Sequence, residues 1–90
     1  MQDPVDQKHI GKFLEELGEC VASAARSFIQ GILGCEPVTG KQNKEWLEDE
    51  IADILGNSEL VIERFNLDQA RIRARADRKK EQLRKWHEMA

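Results

Sequence analysis

Apolar and polar positions between Glu45 and Asn57, read as EWLEDEIADILGN, sort onto two lines of a helix. Side chains three and four apart share a face, which puts Trp46, Glu50, Asp53 and Asn57 in one line. A second line of Leu47, Ile51, Ile54, Ser58, Val61, Ile62 and Phe65 runs about 100° away. The two acids therefore border the apolar stripe instead of facing away from it. Upstream, the same periodicity predicts a first helix from about Val5 to Ile29 or beyond. Asp3-Pro4 opens it, with proline in the first turn where its missing N–H costs nothing. Its expected core stripe is Leu14, Leu17, Val21, Ala25, Phe28 and Ile32. The opposite line, Lys12, Glu16, Glu19, Ser23, Arg26 and Gln30, reads by itself as a solvated face.

The stretch GILGCEPVTG, residues 31–40, is the clear break in the pattern. A helix from about Lys41 to Arg64 follows, with Thr39 or Asn43 as its expected cap. Asn66 suits a left-handed stop, and Asp68 suits the cap of a third helix ending near Glu88. That helix has a thin apolar line of Ile72, Ala76, Leu83, Trp86 and Ala90, with Lys79 inside it. Val, Thr and Tyr are scarce and the connections are short, so the expected fold is all-α, an antiparallel helical bundle.

Length and charge refine that picture. Ninety residues allow a single domain, 1–90, near the size where one hydrophobic core becomes marginal. Three helices this polar bury little alone, so completion by oligomerisation is expected. No run of eighteen apolar residues and no signal-peptide pattern occur, which sets a cytoplasmic expectation. Cys20 and Cys35 have no zinc-ligand spacing and read as idle thiols. The net charge of −3 conceals an asymmetry: residues 1–63 carry −8 and residues 64–90 carry +5.

The acids suggest chemistry because Glu16 and Glu19 repeat, on the first helix, the spacing of Glu50 and Asp53 on the second. Two such pairs offer four hard oxygen ligands, which suits Mg²⁺, with Mn²⁺ as a substitute. A di-iron bundle would instead need Glu-x-x-His motifs, and none exists here. Glu15-Glu16-Leu17-Gly18-Glu19 followed by Glu50-Ile51-Ala52-Asp53 resembles the EExxE…ExxD signature of the MazG-like all-α nucleoside triphosphate pyrophosphohydrolases. The resemblance covers about residues 13–64, and the third helix only loosely.

That resemblance implies hydrolysis of a (deoxy)nucleoside triphosphate between its α and β phosphates, giving monophosphate and pyrophosphate. It implies Glu16, Glu19, Glu50 and Asp53 as the metal-holding and catalytic set, with Glu15 as a supporting ligand or proton acceptor. The family includes phage enzymes acting on guanine nucleotides, so a phage nucleotide-pool enzyme for (d)GTP is compatible with a chain this compact. On chemistry rather than motif, Lys12, Lys44, Arg75, Lys79 and Lys80 are candidates for the pyrophosphate, some from a neighbouring subunit. Trp46 is placed to stack a base or to pack in the core, and Asn57 to bind a metal water, a sugar hydroxyl or a base edge. The expected partners are a (d)NTP and further copies of the chain, as a homodimer or homotetramer, with no membrane. The rival reading is a nucleic-acid-binding helical module using the basic third helix.

Overall fold

A computed structural model describes residues 3–89. Three α-helices make up the fold: α1 (Pro4–Gln30), α2 (Asn43–Phe65) and α3 (Gln69–Glu88). The protein is all-α, and no helix is long and apolar enough to cross a membrane. The helix ends follow local chemistry. Asp3 accepts from the Val5 amide at 2.7 Å and Asp6 at 3.4 Å, with Pro4 in the first turn. Asn66 stops α2 in the left-handed conformation at φ 48°. Its amide bonds Glu63 O, and that of Leu67 bonds Ile62 O, the paired closure of a Schellman stop. Asp68 then caps α3 by accepting from the Arg71 amide at 2.9 Å.

The start of α2 departs from expectation. Gln42 is the capping residue and its side chain makes no capping bond. Thr39 is engaged elsewhere: its amide and hydroxyl both donate to Glu36 at 2.7 Å. Asn43 lies inside the first turn and is only 1 % exposed. Its Nδ2 donates to Gly31 O at 3.0 Å and to Gln30 Oε1 at 3.2 Å, while its amide donates to Gly34 O at 2.8 Å. One buried side chain thus ties the end of α1 to the start of α2. The connection between them is ordered too, with Cys35 and Gln42 bridged across it. Gly34 is required there, because a Cβ would stand 3.0 Å from Gln30 O and 3.1 Å from Asn43 Nδ2.

At the far end of the hairpin Arg64 meets Asp6 at 2.8 Å and Asp3 at 3.6 Å. With residues 30 and 43 joined at one end and 6 and 64 at the other, α1 and α2 run antiparallel. The face that α1 turns to α2 is not the expected one. Buried or half-buried on α1 are Asp6, His9, Phe13, Glu16, Cys20, Ser23, Arg26 and Ser27, so half of the polar line lies in the seam. Leu14 and Val21 are each 68 % exposed and Phe28 is 92 % exposed, with Leu17 and Ile32 also open. The expected core stripe of α1 therefore faces outward. Small side chains at Cys20, Ser23 and Ser27 let α2 approach this side closely. The apolar stripe is left about 115° around the helix from the seam.

On α2 the seam is Asn43, Trp46, Glu50, Ile54, Asn57, Val61 and Phe65. Val61 is the one buried hydrophobic side chain among the described residues. The helices α1 and α2 pack along each other as the expected antiparallel pair, and α3 has no comparable packing against either. The molecule measures 43 × 36 × 18 Å. Two packed helices lie only about 8–10 Å apart, so the second extent reflects α3 standing away from the hairpin. The radius of gyration is 16.1 Å, against about 13 Å for a compact chain of 100 residues. Trp86, expected in the core, is 66 % exposed, and Ala90 lies outside the described residues.

Candidate metal centre

Glu16 sits midway along the hairpin seam and is 8 % exposed. Across from it, α2 presents Glu50, half-buried, and Asp53 one turn on, exposed. One carboxylate oxygen from each of the three lies within 4.8 Å of the others. The Oε2 atoms of Glu16 and Glu50 are buried and have no hydrogen-bond partner. An unpaired buried carboxylate oxygen is costly; a proton on either group, or a cation shared between them, would relieve it. Six-coordinate Mg²⁺ with bonds of ~2.0–2.1 Å spans about 4.2 Å between opposite oxygens. Neighbouring oxygens on such an ion lie only about 2.9 Å apart, so carboxylates within 4.8 Å of one another would have to draw in by up to about 2 Å to share one.

The electrostatics agree. Burial, then the charges of Glu19 and Asp53, push the Glu16 carboxyl above its ordinary value of 4.5. Burial, then Asp53, Glu16 and Asp49, do the same to Glu50. Lys12, 3.4 Å from Glu15 and 3.8 Å from Glu16, is pushed up by its hydrogen bond to Glu15 and the surrounding acids. One lysine at the rim offsets part of the repulsion and leaves the trio strongly negative.

These shifts have a sign in stability. Both glutamates titrate higher in the fold than in the unfolded chain, so their contribution is full below 4.5 and is lost as pH rises through the raised values. Glu36 runs the other way. The Val38 amide and then the Thr39 hydroxyl and amide hold it below 4.5, so its contribution is lost only as pH falls beneath that value. Metal-free protein should therefore melt at a higher temperature at about pH 5 than at about pH 7.5. A cation held by the ionised carboxylates would shrink or reverse that difference, which millimolar Mg²⁺ tests. Thermal melts in chelator and in Mg²⁺ across this range check both statements.

The other sequence candidates spread around this centre. Glu19 lies beside Glu16 on its exposed flank, outside the converging three. Glu15 is exposed and paired with Lys12. Asn57, whose Nδ2 donates to Asp53 O at 3.0 Å, lines a groove of 190 Å³ with Lys8, His9, Lys12, Leu60 and Val61. Trp46 is half-buried, with the Lys41 ammonium 4.1 Å from its ring centroid and the Arg26 guanidinium at 6.0 Å. A base stacking on that ring would have to displace Lys41, which also pairs with Asp49. Lys44 is exposed at the start of α2. Arg75, Lys79 and Lys80 lie on α3, away from the hairpin that holds the carboxylates; Lys80 pairs with Asp77 at 3.5 Å.

Sequence reasoning passed over Lys8, His9 and Lys41. Lys8 was legible, since Lys8, Lys12 and Glu16 follow one another at i,i+4 on a face. Lys41 was not, because its place over Trp46 depends on the path of the loop. No known family model, curated protein sequence or solved structure matches this chain.

Proposed function

We propose that the protein is a Mg²⁺-dependent nucleoside triphosphate pyrophosphohydrolase of the MazG-like kind, working as a homodimer or homotetramer. The observation that carries this reading is the meeting of Glu16, Glu50 and Asp53, two of them with buried, unpartnered oxygens. Glu16, Glu50 and Asp53 would hold the cation, with Glu19 close enough to join through a water. Bound there, Mg²⁺ supplies charge neutralisation for phosphate oxygens and acidifies a coordinated water.

The chain's own residues do the rest. Phosphoryl-group hydrolysis asks mainly for positioning and electrostatic compensation. Lys8 and Lys12 border the groove next to the carboxylates and offer cations to a polyphosphate entering it. Asn57 keeps its Oδ1 available while its Nδ2 bonds Asp53 O, and it can orient a sugar hydroxyl or a water. Glu15, paired with Lys12, holds that lysine toward the site. The substrate class is a (d)NTP, with guanine nucleotides among the candidates.

A screen of the eight common (d)NTPs with Mg²⁺, analysed for the released products, tests the reading. Pyrophosphate and nucleoside monophosphate are expected as primary products, with Mn²⁺ replacing Mg²⁺ and chelator stopping the reaction. Release of orthophosphate and diphosphate instead, or no turnover on any of the eight, would sink it.

A further inference from the structure

Two surfaces lack a partner among the described residues. The first is the apolar face of the hairpin. Leu14, Leu17, Val21 and Phe28 of α1 are exposed, as are Ile51 and Leu55 of α2. In an antiparallel pair, positions offset by the same sense from the seam lie on the same side of both helices. These residues are offset by about 80–120° in that sense, so they form one continuous face. Glu19, Asp53 and Asn57 are offset the other way, so the carboxylate site opens on the opposite side. The second surface is α3 itself. Its line of Ile72, Ala76 and Leu83 is 40–41 % exposed at its two larger members, and Arg71, Arg75 and Lys79 border a groove along it.

We propose that these two surfaces belong together across copies. The α3 helix of one chain packs on the apolar face of a second chain's α1–α2 hairpin, and the second chain returns the contact. Charge decides this occupant over the obvious alternative. Two hairpins meeting face to face would set the Glu48 and Glu59 edges of both copies together, whereas α3 and its flanks carry +5. Glu48 and Glu59 flank the α2 side of the face and meet the arginines and lysines that flank the apolar line of α3. The Schellman stop at Asn66 fixes the direction in which α3 leaves, which holds it out for another chain. Because each copy gives α3 and receives one, the contact is isologous and closes as a two-fold dimer. The arrangement covers the exposed leucines that a monomer this size cannot bury, and it leaves the acidic site open. It stands independently of the proposed chemistry.

Sedimentation equilibrium of the full-length protein and two paired variants tests it. Wild type should be a dimer at micromolar concentration, and its Kd should weaken on the order of tenfold between low and molar salt as the attraction is screened. One variant carries Ile72→Asp and Leu83→Asp, the other Leu14→Asp and Val21→Asp. Alone, each should be monomeric, with helicity checked by far-UV circular dichroism. Mixed, they should form a heterodimer, because the intact hairpin of one meets the intact α3 of the other. A monomeric wild type, an α3 variant that dimerises as wild type does, or a mixture of folded variants that stays monomeric would overturn the proposal. Where a variant does not fold, the salt titration of wild type decides: a Kd that is flat or tightens with salt overturns it. Salt-sensitive binding of single- or double-stranded nucleic acid that dissociates the dimer would assign α3 to that partner instead.

Discussion

Glu50→Gln is expected to lower Mg²⁺-dependent hydrolysis by about two to three orders of magnitude, the scale on which removal of one group that compensates transition-state charge acts. Asp53→Asn should behave alike. The loss should appear in kcat with the metal requirement shifted to higher concentration, since the substitution removes a proposed ligand and leaves the groove intact. Stability should move the other way. Glu50 is crowded by Asp53, Glu16 and Asp49, so the neutral amide relieves repulsion, and the metal-free variant should melt at or above the wild-type temperature. Mg²⁺ should then give the variant little of the stabilisation that mass action gives wild type. Near-full turnover in either variant would remove the carboxylates from the reaction. A variant that is inactive because it is unfolded would be recognised by its melt.

The largest stability effect is expected at Asn43. Removing its carboxamide leaves Gly31 O and the end of α1 without their partner in a site that is 1 % exposed. An unsatisfied buried group costs about 1–3 kcal/mol, so Asn43→Ala should lower Tm by roughly 10 °C in a domain of this size. Asn43→Asp is the sharper test. It preserves shape but turns a carboxylate oxygen toward Gly31 O and Gln30 Oε1, which accept and cannot donate. Its loss should exceed that of Ala, and urea unfolding at neutral pH measures both. Equal stability of Asn43→Asp and wild type would mean that the side chain does not tie the helices together.

Much of the local structure was legible beforehand because its causes are local. Asp3-Pro4, Asn66 and Asp68 carry their capping chemistry within a turn, and each acts as that chemistry requires. The acidic line on α2 was visible from spacing alone. Its meeting with Glu16 depends on how two segments about thirty residues apart pack, and the geometry brings together Glu16, Glu50 and Asp53 with Glu19 alongside. The cap at the start of α2 was misread because Thr39 finds a nearer acceptor in Glu36. That competition depends on the folded loop and leaves no trace in the periodicity.

By itself, the order of residues determined the three helices, their ends apart from the start of α2, and the charge contrast between hairpin and tail, since each follows from propensity and spacing along the chain. It also determined which carboxylates could share a face. Only the tertiary structure decided which face of α1 meets α2. The apolar stripe was the natural choice on hydrophobicity, yet the small and polar side of Cys20, Ser23 and Ser27 forms the seam. Periodicity says that a helix has a greasy side and cannot say whose surface covers it. That is settled by close approach between chain segments, and here it leaves the apolar side exposed while the carboxylates meet inside the hairpin.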